Sequence, residues 1–172
     1  MSRVAKERVE IAGVIITQEG RNLLFQGSVG TMKLVLHADI EIENDGQTVG
    51  VIGEAVSALK GTFVRLIKNA VIGVTKGFEK QIKLVGVGYK AMIEGESIKL
   101  SIGFSHPVLV PIPEGVKATL ANIVTISLKS CNKELLGIMV DRFCKTKKYN
   151  VYNGNGVLEV GKYYRRKETK KK

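Results

Sequence analysis

Cysteine and histidine are scarce in this chain of 172 residues, with two of each. Cys131 and Cys144 have no Cys or His at a metal-ligand spacing, and His37 and His106 stand alone, so the patterns that build a zinc site are missing. No apolar run approaches the ~20 residues that a helix needs to cross a bilayer. The opening Met1-Ser2-Arg3-Val4-Ala5-Lys6-Glu7 is polar and charged and lacks the apolar core of a secretory leader. The chain is therefore expected to work in the compartment that makes it, without a structural disulfide, without a membrane partner and without a metal.

Assembled catalytic groups are lacking as well. Gly86-Val87-Gly88-Tyr89-Lys90-Ala91 fits the dinucleotide fingerprint, but that fingerprint needs a helix opening within it, and Met92 to Gly103 read as a hairpin through Gly95. No phosphate-loop motif occurs. Ser105 and His106 are sequence neighbours, a poor geometry for a nucleophile and its base, and no third group is evident to orient His106. Glu41, Glu43 and Asp45 lie on an exposed strand and turn, where solubility explains them better than acid–base work. The expectation is a protein that is not an enzyme, with no cofactor and no small-molecule substrate.

What the chain has is basic charge, on one side. Residues 1–80 hold 10 Lys or Arg against 9 Asp or Glu, and residues 81–172 hold 17 against 7. The halves carry +1 and +10 of a net +11. A field of one sign concentrated in half a chain calls for a polyanion, and nucleic acid phosphate is the commonest. The last eleven residues, Lys162 to Lys172, include seven Lys or Arg, the pair Tyr163-Tyr164 and a single glutamate. A lysine run alone also describes a solvated tail. The interleaved tyrosines and the charge of the preceding segment favour nucleic acid.

The 44% hydrophobic content is that of a folded protein. The chain also repeats itself. Val9-Glu10-Ile11-Ala12-Gly13-Val14 resembles Ile82-Lys83-Leu84-Val85-Gly86-Val87, and Leu24-Phe25-Gln26-Gly27 resembles Leu100-Ser101-Ile102-Gly103. Each half runs through alternating segments into one helix. In the first half 22–26, 32–36, 40–43 and 49–52 read as strands, with Asn44-Asp45-Gly46-Gln47 as a turn. A helix over 54–71 would bury Val56, Leu59, Phe63, Leu66, Ile67 and Ala70, and Gly73 to Gly77 would end it. In the second half 81–87, 89–93, 98–102, 108–112, 116–120 and 124–128 read as strands. Asn132 would cap a helix running to about Lys145, burying Leu135, Leu136, Met139, Val140 and Phe143. The fold class is α+β: two similar tandem domains, 1–76 and 77–161, each an antiparallel β-sheet packed against one α-helix, with a basic C-terminal tail over 162–172. That tail has little apolar surface, so it is expected to be disordered until it meets RNA.

Three segments then become specific. Asn69-Ala70-Val71-Ile72-Gly73-Val74-Thr75-Lys76-Gly77-Phe78 runs into Leu84-Val85-Gly86-Val87-Gly88-Tyr89-Lys90-Ala91, and Leu100-Ser101-Ile102-Gly103-Phe104-Ser105-His106-Pro107-Val108 follows. In this order and spacing, the chain resembles the bacterial-type large-subunit ribosomal proteins of the L-six family. The opening residues and the basic C-terminus after a glycine-rich loop are similar to that family too. The resemblance implies two related α+β domains and a structural role on the ribosome, in a bacterial cytoplasm or an organelle matrix or stroma. It implies binding to large-subunit rRNA near the factor-binding region, close to the sarcin–ricin loop, beside neighbouring large-subunit ribosomal proteins. The second domain and tail would make the main contacts. The alternative is a free-standing RNA-binding or chaperone module.

The expected RNA-binding residues are Arg3, Lys6, Lys76, Lys80, Lys90, Ser105, His106, Lys145, Lys147, Lys148, Asn153, Asn155, Lys162, Tyr163, Tyr164, Arg165, Arg166, Lys167, Lys170, Lys171 and Lys172. Lys and Arg would neutralise phosphates, Ser105 and His106 would reach phosphate or 2′-OH groups, and the tyrosines would stack. Gly86, Gly88 and Gly103 have a structural explanation as tight turns, and Phe104 one as core. Two places depart from the family pattern. The segment Ala5-Lys6-Glu7-Arg8-Val9 stands where a Gly-Lys-Lys-Pro-like run is usual. Val151-Tyr152-Asn153-Gly154-Asn155-Gly156 stands where the family has a Pro-Tyr-Lys-Gly-Lys-Gly-like loop, so two charges are lost there. Lys145, Lys147 and Lys148 lie just upstream to compensate.

Overall fold

The computed structural model describes residues 3–11, 13–53 and 55–168, without the side chains of Arg3 and Ala5. The chain divides into two compact units, residues 1–77 with 131–133, and residues 78–130 with 134–172.

The first unit opens with a 3-10 turn, Arg3–Lys6, and strands β1 (Val9–Glu10), β2 (Ile15–Glu19), β3 (Asn22–Gln26), β4 (Thr31–Val35), β5 (Glu41–Asn44) and β6 (Thr48–Ile52). Helix α1 (Ser57–Thr75) follows. The strands form two antiparallel sheets, β1-β6-β5 and β2-β3-β4. Along β3, Leu23 and Phe25 are buried while Leu24 and Gln26 face out, the period of two that a half-buried strand requires. The helix answers with Phe63, Val64, Ile67, Ala70, Val71 and Val74, a stripe at steps of three and four. Each such large side chain taken fully out of water contributes about 1.5–3 kcal/mol.

α1 differs from the sequence reading at both ends. Glu54, the expected start, lies outside the described residues. Val56 is the N-cap position and is 74% exposed, so it leaves the buried face; Val64 takes a core place instead, and Leu59 and Leu66 are only partly buried. The helix ends at Thr75, within the expected Gly73–Gly77 stretch but past residue 71 and past Gly73 itself. The apolar stripe continues to Val74, and the carbonyls that the helix end leaves unbonded find partners in the β3–β4 turn. The Val29 N–H donates to the Val74 carbonyl at 2.9 Å, and the Ser28 hydroxyl donates to that of Thr75 at 3.0 Å. The approach is so close that a Cβ on Gly27 would lie 2.5 Å from the Val74 oxygen.

The second unit contains β7 (Phe78–Val85), β8 (Lys90–Glu94), β9 (Ser97–Ser101), β10 (Val108–Pro111), β11 (Val116–Asn122), β12 (Thr125–Ser130), helix α2 (Lys133–Thr146) and β13 (Gly156–Glu159). Its sheets are β11-β12-β7-β13 and β10-β9-β8, again antiparallel throughout. Six strands later, the order of the first unit recurs: β1-β6-β5 becomes β7-β12-β11, β2-β3-β4 becomes β8-β9-β10, and a helix follows each set. The duplication suggested by the sequence is thus a repeated topology, with two sheets per unit rather than one. The core joins Ile82, Leu84, Ile98, Leu100, Ile126 and Leu128 of the strands to Leu136, Met139, Val140 and Phe143 of α2.

Three strands were absent from the sequence reading. β1 is only two residues long and exists through its pairing with β6. β2 has a mostly exposed side-chain pattern and so no periodic signal; pairing with β3 makes it. β13 is four residues long, starts on glycine, and exists because β7 offers it an edge. It has no counterpart among the described strands of the first unit, and it sets the position of everything after residue 155.

Candidate nucleic-acid interface

Residues 147–155 connect α2 to β13 in a loop that ties itself together. The Asn150 side-chain oxygen accepts from the Tyr152 N–H at 2.9 Å and the Asn153 N–H at 3.4 Å. The Asn150 N–H donates to the Asn155 carbonyl, and the Gly154 N–H donates to the Asn150 carbonyl, both at 2.8 Å. These bonds use the backbone and leave the Asn153 and Asn155 side chains exposed. Gly156 closes the loop at φ +149°, where a Cβ would lie 2.8 Å from the Tyr149 Cα.

After β13 the chain returns along this loop. The hydroxyl of Tyr164 accepts from the Glu159 N–H at 3.0 Å, and its ring lies 5.1 Å from that of Tyr149, tilted by 52°. The Lys167 N–H donates to the Val151 carbonyl at 2.9 Å, and the Lys167 ammonium stands 5.8 Å from the Tyr152 ring. Residues 162–167 therefore rest on the body of the unit, which corrects the expectation of a tail disordered along its whole length. The contacts centre on Tyr164, a half-buried ring that packs against Tyr149 and whose hydroxyl bonds the Glu159 N–H, an anchor that the basic residues alone do not supply. Tyr163 points the other way and is 88% exposed. Lys170, Lys171 and Lys172 lie outside the described residues, as does the side chain of Arg3.

A second loop reaches the same region. β9 leads into buried Ile102; Gly103, at φ +76°, reverses the chain; and Phe104 emerges 45% exposed. Phe104 is not core. The Lys147 ammonium sits 4.3 Å from the centre of its ring, which joins the β9–β10 loop to the end of α2. Ser105 and His106 are exposed, with side chains that make no hydrogen bond within the described residues. Beneath the loop, the Tyr89 ring occupies the space that a Cβ on Gly86 would need, at 2.6 Å. The fit is a packing reason for the glycine at 86.

Charge on this surface is unbalanced. Residues 141–168 hold eight Lys or Arg and three acids. Two of the acids are engaged: Asp141 pairs with Lys145 at 2.6 Å, and Glu159 pairs with Lys80. Lys147, Lys148, Lys162, Arg165, Arg166 and Lys167 have no carboxylate within ion-pair distance among the described residues. Lys90, exposed at the start of β8, has none either. Lys6 and Lys76 are exposed residues of the first unit, in the N-terminal turn and at the end of α1. Lys80 and Lys145, expected to face a ligand, are partly neutralised by their own carboxylates.

A groove between α2 and the returning tail is lined by Val140, Cys144, Tyr149, Val157 and Tyr164. Burial, and then the nearby Glu159 carboxylate, push the Cys144 thiol up, against a weaker opposing hydrogen bond from Tyr164. The thiol stays protonated at neutral pH, the opposite of an activated nucleophile. Both cysteines are free. Among the described residues no group of His, Cys, Asp and Glu is placed to hold a metal ion, and no helix is long and apolar enough to cross a membrane.

The structure thus brings together Ser105, His106, Lys145, Lys147, Lys148, Asn153, Asn155 and residues 162–167 on the second unit. Sequence reasoning missed Phe104, Tyr149 and Tyr152. The last two follow Lys147 and Lys148 in the same mixture of basic and aromatic residues that drew attention to the tail; Phe104 is flagged only by its place between Gly103 and Pro107, outside any apolar period.

Known proteins are similar to this chain. The family model described as ribosomal protein L6 matches residues 85–159. The large ribosomal subunit proteins uL6 of Colwellia psychrerythraea and Cellvibrio japonicus are each 40% identical to the chain, over 179 and 177 aligned residues, and that of Hahella chejuensis is 39% identical over 179. In every case the alignment spans 100% of both chains. The chain belongs to the uL6 family of large ribosomal subunit proteins, in its bacterial form.

Proposed function

We propose that the second unit docks this protein on folded large-subunit rRNA, near the factor-binding region and the sarcin–ricin loop, with other large-subunit proteins as neighbours. As a member of the uL6 family, the protein is a structural constituent of the large ribosomal subunit in the bacterial cytoplasm, and not an enzyme. The observation that carries the finer reading is the cation surface of residues 145–167. Six of its cations lack a carboxylate partner among the described residues, and exposed aromatic rings stand among them. Such cations gain by releasing counterions from phosphate. Asn153 and Asn155 can donate to phosphate or sugar without charge, and Ser105 and His106 can meet 2′-OH groups. Lys80, Lys90, Lys145 and the terminal lysines extend the field, and Arg3, Lys6 and Lys76 would add contacts from the first unit.

Sedimentation tests this reading. A tagged chain expressed in bacteria should co-migrate with large subunits through a high-salt gradient. Recovery at the top of the gradient, or on RNA other than the large subunit, contradicts it and favours a free-standing RNA-binding module.

A further inference from the structure

We infer that Phe104 and Lys147 together form a subsite for one unpaired nucleotide of rRNA, with the base stacked on the Phe104 ring and its phosphate on the Lys147 ammonium. The proposal rests on the rRNA-docking reading and names a ligand group within it.

The geometry is built by neighbouring residues. Buried Ile102 anchors the chain, and the left-handed conformation of Gly103 turns it outward, so that Phe104 leaves the core despite its apolar side chain. Solvent exposure of 45% for a phenylalanine in a short loop is a cost that burial elsewhere would remove. One side of the ring is taken by the Lys147 ammonium, 4.3 Å from its centre. That cation draws on the negative face of the ring and orients it. The charge itself stays available, because no carboxylate pairs with Lys147 among the described residues. A partly exposed aromatic ring, and an unneutralised cation a few ångströms from it, match the two ends of a nucleotide. Double-stranded RNA hides its base faces, so the ligand is a splayed base from a loop or bulge. Ser105 and His106 follow directly in the chain, exposed and without side-chain partners among the described residues, and they fit the intervening ribose 2′-OH.

The contact has a simpler alternative, in which the cation–ring pair only latches the loop to the end of α2. The test separates the two. Full-length wild type, Phe104→Leu, Phe104→Tyr and Lys147→Gln are titrated with protein-free bacterial large-subunit rRNA, and base and 2′-OH reactivities are mapped by chemical probing. Phe104→Leu should weaken binding by about 5- to 160-fold, the range for stacking one base on a ring, without changing the salt dependence. It should also abolish the protection of a single base. Phe104→Tyr should keep that protection. Lys147→Gln should lower the salt slope by about 0.7–0.9, one phosphate contact. Free AMP or GMP at millimolar concentration should not compete, since one nucleotide lacks the remaining contacts.

Unaltered affinity and unaltered protection with Phe104→Leu would overturn the subsite. If an Arg165→Gln, Arg166→Gln, Lys167→Gln chain still binds weakly in that case, the docking reading survives and the ring is a latch. If neither variant changes binding, both fall. Should Phe104→Leu melt early, the comparison of Phe104→Tyr with Lys147→Gln decides: loss of base protection in Phe104→Tyr also sinks the proposal.

Discussion

Tyr163 and Tyr164 are adjacent, chemically identical and opposite in role. In the sequence both belong to one basic and aromatic tail, and nothing local distinguishes them. The structure separates them through β13, whose Glu159 N–H bonds the Tyr164 hydroxyl, and through Tyr149, which meets the Tyr164 ring. Both partners are placed by tertiary pairing, which a one-dimensional pattern does not carry. Tyr164→Ala should therefore cost about 1–3 kcal/mol in urea unfolding and make residues 162–168 more sensitive to protease. Tyr163→Ala should change stability by less than about 0.5 kcal/mol.

A second single-residue prediction concerns acid. Glu79 accepts from the Ser127 hydroxyl at 2.7 Å and pairs with Lys129 at 3.2 Å; the hydroxyl bond is the larger cause that holds its carboxyl below the usual value of 4.5. A lowered folded pKa gives stability that is present above the unfolded value and lost as pH falls through the folded one. Melting temperature should decline as pH drops below about 4.5, and Glu79→Gln should flatten part of that decline. An identical acid profile for the variant would show that other carboxylates carry it.

At the scale of elements, glycines test whether helix and loop are understood. Gly137 sits on an exposed turn of α2, and a Cβ there would have nothing within 4 Å, so Gly137→Ala should stabilise the protein by about 0.5–1 kcal/mol. Gly156 closes the loop before β13 at positive φ, with backbone 2.8–3.0 Å from the added carbon. Gly156→Ala should destabilise by about 1–3 kcal/mol and disturb the Tyr149–Tyr164 pair. The same substitution thus has opposite signs, and denaturant midpoints will read both. Elements with a clear period were legible in the sequence: β3 through Leu23 and Phe25, and both helices through their stripes. The helix ends were less so. α1 outruns Gly73 because a turn from elsewhere in the unit bonds its last carbonyls. β1, β2 and β13 were not legible, since each is made by a neighbouring strand rather than by its own pattern.

For the whole molecule, duplication and charge tell a joint story. Both units use one strand order, yet net charge falls almost wholly on the second half, at +10 against +1. The place after the third strand shows the divergence. In the first unit the β3–β4 turn folds down on the end of its own helix, through Val29 and Ser28. In the second unit the β9–β10 loop is longer, stands exposed and presents Phe104 beside Lys147, which has no carboxylate partner among the described residues. The same scaffold is closed in one copy and open in the other. Sequence alone showed which half is basic. It could not show that Lys80 is engaged by Glu159, because that acid is brought in by β13; the Asp141–Lys145 pair, four residues apart on the expected helix, was within its reach.

The salt dependence of rRNA binding by the full-length chain tests this assignment most directly. Arg165→Gln, Arg166→Gln and Lys167→Gln remove three cations from the second unit; Arg21→Gln, Lys33→Gln and Lys60→Gln remove three from the first. The slope of log affinity against log salt should fall by about 0.7–0.9 for each cation lost from the first of these sets. It should stay at the wild-type value for the second. Equal slopes for the two triple variants, or a larger loss from the first unit, would contradict an interface carried by the second unit.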